Sequence, residues 1–244
     1  MELTKEQLDR FDTDGFLILE NFASNKLCDE ILAKAKKHLQ KQQAPIETEQ
    51  EYLKSNQKNI TVRRLRQVYD REEVFKKWMT DESIRPILKQ ILGDAPVLTL
   101  AHHNSIMTKL PHESTRTYWH QDRRYWNFEN DDLVSVWLSL GDEFLENGLL
   151  EFIPGSHKID FEKECFDLDS NFLDENKKNQ ELIKTKVHQN LKKGDVVLFH
   201  CKTLHHASKN QTDKPKISFV YTVRANANKP IKNTRSDFKE IILD

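Results

Sequence analysis

The chain has 244 residues with 38 Lys+Arg against 39 Asp+Glu, a formal net charge of −1. That balance excludes a protein that relies on a basic surface to hold nucleic acid. Three cysteines, Cys28, Cys165 and Cys201, are too few and too scattered for a disulfide scaffold or a Cys-rich zinc site, and they fit a reducing, cytoplasmic setting. No apolar run approaches the roughly 18 residues that a membrane span requires. The apolar fraction is only 37%, but 13 Phe, 5 Tyr and 4 Trp supply enough bulk for the core of one soluble domain.

Along the chain, Thr4 and Gln7 make a capping box that opens a helix over Thr4–Asp12, which Gly15 ends. Gly15–Leu19 reads as a short strand. A second helix starts at Ser24 or Asn25 and runs to about Lys41, with Leu27, Ile31, Leu32 and Leu39 on one side. Residues 42–60 are polar and without period, which predicts a mobile loop. Asp81 opens a further helix that buries Ile84, Ile87, Leu88 and Ile91 and closes at Gly93.

From Pro96 the period changes from 3.6 to 2. Val97–Ala101, Ser105–Lys109, Leu133–Leu140, Leu149–Ile153, Val196–His200 and Ile217–Arg224 read as strands. The charged segment Lys158–Lys186 reads as an insertion lying over one face. Helices followed by short strands predict a single α+β domain with a mainly β core, a sandwich or barrel. Its helical part covers about 1–95, its β core about 96–225, and a tail 226–244.

His120-Gln121-Asp122 offers an imidazole and a carboxylate two residues apart, able to face one ion from a strand. In a chain with ten His and 39 acidic residues this spacing arises easily by chance. A third ligand could come from His200, His205 or His206, at and just after the strand Val196–His200. Two His and one carboxylate suit a non-haem Fe(II) oxygenase. With a water they equally describe a zinc hydrolase, and spacing does not separate the two. Lys216 opens the strand Ile217–Arg224, whose antiparallel return could carry its ammonium beside the metal to hold a carboxylate. Arg123, Arg124, Tyr125 and Trp126 follow the ligand pair and are placed to line the mouth of a site. They suggest a polar or anionic substrate with a flat or apolar portion.

A longer set of motifs stands in order: Trp119-His120-Gln121-Asp122, Val134-Ser135-Val136-Trp137-Leu138, Glu146-Asn147-Gly148, Ile153-Pro154-Gly155-Ser156-His157, Gly194-Asp195-Val196-Val197-Leu198-Phe199-His200 and Thr203-Leu204-His205, then Asn210 and Lys216. In these residues the chain resembles a bacterial member of the phytanoyl-CoA dioxygenase family of Fe(II)/2-oxoglutarate oxygenases. The resemblance spans roughly residues 3–224, and the region 119–224 carries nearly all its specificity. It implies a double-stranded β-helix of jelly-roll type with flanking N-terminal helices. It implies His120, Asp122 and His205 as iron ligands, with His206 beside the metal but not on it.

The same resemblance implies that Lys216, where the family usually has Arg, holds 2-oxoglutarate, with Trp137, Ser105 and Arg64 near that co-substrate. Fe(II), 2-oxoglutarate and O2 are the expected cofactors. The expected reaction is hydroxylation of a small molecule with release of succinate and CO2, because Asp122 keeps the carboxylate that halogenating relatives lack. The expected partner is a small substrate, with neither nucleic acid nor membrane. A zinc-dependent hydrolase and a non-catalytic small-molecule-binding β-barrel remain the alternatives.

Overall fold

Helix α1 (Lys5–Asp14) begins at the expected capping box: the Gln7 N–H donates to the Thr4 hydroxyl at 3.2 Å, and the Thr4 N–H to the Gln7 side chain at 2.9 Å. It ends at Gly15, whose φ of 82° lies in the left-handed region. A Cβ there would come within 2.5 Å of the Thr203 hydroxyl and closer still to the His157 ring, so glycine is required on both counts. The computed structural model describes residues 1–54 and 60–243 of the chain. Strand β1 (Phe16–Leu19) follows, then α2 (Asn25–Gln40), capped by Ser24. Next come β2 (Ile46–Thr48), α3 (Glu49–Tyr52) and β3 (Val62–Arg66), then α4 (Glu73–Met79) and α5 (Arg85–Leu92).

The β-rich part contains β4 (Pro96–Thr99), β5 (Ser105–Lys109), β6 (Thr117–His120), β7 (Leu133–Ser139) and β8 (Leu150–Phe152). Helix α6 (Lys177–Ile183) precedes β9 (Val196–His200), β10 (His205–Ala207), β11 (Lys216–Ala225) and β12 (Glu240–Ile242). Two antiparallel sheets face each other. The large one runs β1-β9-β7-β11-β5-β3-β2, with β4 pairing β11 and β12 pairing β4. The small one runs β6-β10-β8. They are two separate hydrogen-bonded sheets, as in a jelly roll rather than a closed barrel.

Strand β7 is buried along its whole length because both of its faces are covered. Outward, Val134, Val136 and Leu138 join Phe219, Tyr221 and the helix residues Ile31, Phe75, Trp78 and Ile87 in the main core. Between the sheets, Trp137, Val220, Phe152 and Phe199 form a second cluster with Phe16 and Ala207. The insertion packs Phe166 and Phe172 on Trp119, Ile153 and Leu204, covering the far side of the small sheet, with Phe161 against them.

Four expectations are corrected. The stretch 42–60 is not all loop: β2 and α3 occupy part of it, α3 capped by Thr48, while its residues 55–59 lie outside the described residues. Strand β3 was not expected in a region read as helical, and it pairs with β5 in the large sheet. The helix assigned to Asp81 starts at Arg85 instead, because the Asp81 carboxylate accepts the Ser83 N–H at 2.8 Å in a local turn and Pro86 sits in the first helical turn. The expected tail, finally, returns to the sheet as β12, and Leu243 is buried in the main core.

Candidate active site

The small sheet creates the site through an irregularity. Against β10, His205 pairs with His120 and Ala207 with Thr117, so two steps on one strand face three on the other. This bulge turns both Thr117 and His120 toward the inner face, which strict alternation forbids for residues three apart. Asp122 stands two residues on, in a 3-10 turn that leaves the sheet. His206, next to His205, points the opposite way, as strand geometry demands. Its Nε2 meets the Glu151 carboxylate at 2.6 Å and its ring lies 4.2 Å from that of Trp119.

His120, Asp122 and His205 each bring one ligating atom to within 4.8 Å of the others. Asp122 Oδ1 lies 3.7 Å from Nε2 of His120 and 4.0 Å from Nε2 of His205. Both imidazoles are oriented by the backbone: Nδ1 of His120 is 2.8 Å from the Tyr118 carbonyl, and Nδ1 of His205 is 2.9 Å from that of Thr203. A carbonyl can only accept, so Nδ1 carries the proton and Nε2 keeps its lone pair free for a metal. Among the described residues this is the only cluster of three or more His, Cys, Asp or Glu with metal-binding spacing.

The electrostatics match an ion site. Burial pushes the Asp122 carboxyl up to about 8, against the opposing effects of the Ser135 hydroxyl and the Arg64 charge. Burial likewise lowers His120 to about 4 and His205 well below its usual range. Three groups desolvated in this way lack a positive charge at their centre, which a divalent cation supplies.

A fourth residue, His103, was not singled out in the sequence. Its Nε2 is 3.3 Å from Asp122 Oδ1, its Nδ1 is 3.1 Å from the Ser135 hydroxyl, and its backbone is left-handed at φ 44°. Ser135 Oγ also reaches Asp122 Oδ2 at 3.3 Å. Non-glycine residues in that conformation are uncommon and concentrate at functional sites, but nothing in the local sequence announces it.

A cavity of about 920 Å3 opens over His120 and Asp122, walled by Arg63, Arg64, Arg66, His103, Met107 and Thr117 among others. Tyr125 and Trp126 line it as expected. Arg123 does not: its guanidinium holds Asp131 and the Trp126 and Phe128 carbonyls. Arg124 lies over the Phe166 ring, 3.6 Å from its centroid. Ser105 lines a smaller adjoining pocket with Arg64, Arg66 and Arg235. Trp137 and Lys216 are not on the cavity wall. They sit deeper between the sheets, where the Lys216 ammonium donates to Glu143 at 3.0 Å and Trp137 Nε1 donates to the same carboxylate at 3.1 Å.

Comparison with known proteins gives a consistent answer. Residues 11–218 match the family model for Phytanoyl-CoA dioxygenase (PhyH). The ectoine dioxygenase of Sphingopyxis alaskensis is 23% identical, over 93% of this chain and 78% of that protein. The human peroxisomal phytanoyl-CoA dioxygenase is 26% identical, over 86% of this chain and 65% of its own length. Among solved structures, apo EctD from S. alaskensis superposes with a TM-score of 0.75 at 22% identity, covering 94% of this chain and 80% of that one. The epimerase SnoN, in complex with Fe3+, alpha ketoglutarate and nogalamycin RO, gives 0.77 at 19% identity, covering 93% and 85%.

Proposed function

The chain belongs to the phytanoyl-CoA dioxygenase family, and from that premise we propose that it is an Fe(II)- and 2-oxoglutarate-dependent dioxygenase hydroxylating a small anionic substrate. One observation carries the reading. Two imidazole Nε2 atoms, freed by backbone bonds to Nδ1, converge with a buried carboxylate oxygen at a cavity. This donor set, two imidazole nitrogens and one carboxylate oxygen, fits Fe(II), and His120, Asp122 and His205 would hold the ion there. When bound, Fe(II) and 2-oxoglutarate together activate O2 to oxidise a C–H bond, releasing succinate and CO2.

The chain's own residues orient and shield this chemistry. The Tyr118 and Thr203 carbonyls fix the two rings, while Ser135 and His103 fix the Asp122 carboxylate. Phe152 and Phe199 pack against His205, with ring centroids 6.0 and 4.9 Å away, and keep water from the inner side. An anionic substrate is supported by Arg66 and Arg235, which line the cavity and make no ion pair among the described residues. Arg64, beside them, shares Glu47 with Arg63. Tyr125 and Trp126 supply flat apolar surface on the same wall. A cytoplasmic setting is supported by three cysteines that are all unpaired and buried.

The test is anaerobic titration of metal-free protein with Fe(II) and then 2-oxoglutarate, followed by visible absorption. A weak charge-transfer band that needs both additions and is lost in Asp122→Ala is expected. Folded, iron-loaded protein that develops no band overturns the reading in favour of a zinc hydrolase or a binding module.

A further inference from the structure

The inner end of the large sheet carries two lysines where one was expected. Lys216 and Lys109 are direct partners in the β11–β5 ladder, so their side chains leave the sheet on the same side. The Lys216 ammonium sits 4.9 Å from the Trp137 ring centroid and donates to Glu143, the two side chains being 4% and 0% exposed. Glu143 also accepts from Ser218 Oγ at 2.7 Å and from Trp137 Nε1. Its carboxylate is saturated, and the pair is a neutral, buried unit.

Lys109 is buried as well, yet among the described residues it makes no ion pair. Its Nζ donates to the Thr115 carbonyl at 2.5 Å and reaches Thr117 Oγ1 at 3.4 Å. Arg63, the next cation along, is balanced by Glu49 at 3.2 Å and Glu47 at 3.7 Å. The Lys109 stem is confined by Gly148, where a Cβ would stand 3.3 Å from Lys109 Cγ. Thr117 lines the metal cavity and, through the bulge, shares the inner face with His120 three residues away, roughly 10 Å along the strand. A five-carbon diacid with one metal–oxygen bond and one hydrogen bond spans a comparable distance.

Resting on the function proposed above, we infer that Lys109 and Lys216 together receive the distal carboxylate of 2-oxoglutarate, and that Lys109 offsets Glu143, a resident carboxylate of the same site. Lys216 alone is already neutralised, and a second carboxylate on one buried ammonium meets repulsion. With Lys109 the charges are two against two. The groups facing Lys109 are Arg63 from β3, Lys216 from β11 and Glu49 from α3, with the uncharged Thr115 and Thr117. Burial, then Arg63 and Lys216, push the Lys109 ammonium down to about 6, with Glu49 opposing. Its charge therefore arrives with the ligand, and binding takes up a proton near pH 7.5.

The test is calorimetric titration of the Mn(II)-loaded protein with 2-oxoglutarate and with 2-oxopentanoate, which has the same chain length and chelating end but no distal carboxylate. Wild type prefers 2-oxoglutarate, and Lys109→Met cuts that preference about tenfold while 2-oxopentanoate binds as before. Glu143→Gln strengthens 2-oxoglutarate binding. In buffers of different ionisation heat, wild type takes up about one proton with 2-oxoglutarate and none with 2-oxopentanoate, and Lys109→Met takes up none with either. An unchanged preference in Lys109→Met overturns the inference. So does proton uptake that persists in Lys109→Met. If Lys109→Met does not fold, the wild-type proton counts decide. Wild type that binds both acids equally sinks only this inference, whereas wild type that binds neither sinks the proposed function with it.

Discussion

Strand β7 presents two surfaces that obey different rules. Its outward residues Val134, Val136 and Leu138 pack in the apolar core with side chains of the helices, β9 and β11. Its inward residues alternate with them; Leu133 packs on Trp126, Phe128 and Cys201, and the other three each have a specific polar partner: Ser135 the Asp122 carboxylate, Trp137 the Glu143 carboxylate, Ser139 the Gly141 carbonyl. Outside, volume and apolarity are what count, and neighbouring side chains can partly relax around a change. Inside, removing one atom orphans another in a low-dielectric space. Stability is concentrated on one side of a single sheet and chemistry on the other, within the width of one strand.

The largest effect on folding should come from the outer face. Phe219, fully buried with its ring 5.6 Å from that of Phe75, should cost about 3–5 kcal/mol as Phe219→Ala, read by urea denaturation. Metal stoichiometry per folded molecule should not change. Lys216→Met probes the inner face, where it strands the Glu143 carboxylate and should cost about 3 kcal/mol. The double variant Lys216→Met/Glu143→Leu should recover most of that loss, which no second substitution on the outer face would do for Phe219→Ala.

Asp122→Ala sharpens the contrast further. Metal affinity, read from metal content after dialysis, should fall at least about 100-fold. The metal-free unfolding free energy should hold or rise, because the change removes a desolvated carboxylate. A fall like that of Phe219→Ala would break the division between the two faces. The smallest effect belongs to His206→Gln, which loosens the bond to Glu151 on the outer side of the small sheet. It should cost about 1 kcal/mol in denaturation and leave metal affinity unchanged, since His205 and not His206 converges with His120 and Asp122.

The parts legible in the sequence were those with a local signature. The Thr4 capping box, the Ser24 cap, the long strands β7, β9 and β11 and the ordered motifs from Trp119 to Lys216 each announce themselves within a few residues. Among the short strands, β2, β3, β6, β10 and β12 were not legible. β6 and β10 together offer seven residues with no clean alternation, because the bulge that builds the site also erases the period. β3, rich in arginine, resembles a solvated segment until β5 gives it a partner. Arg123 looked like a mouth residue by position, but it anchors its own loop through Asp131.

By itself the sequence determined the β-rich architecture, since periodicity is a property of neighbouring residues, and it offered His120 and Asp122 as a pair, while the choice of His205 over His200 and His206 rested on the family resemblance. Tertiary structure alone decided what surrounds them. His103 reaches Ser135 across 32 positions, Glu143 reaches Lys216 across 73, and Lys109 faces Lys216 only because β5 and β11 are aligned in that register. Such contacts join residues whose local patterns are independent, so the charge of the inner site, two lysines against one glutamate, exists only once the sheet has formed.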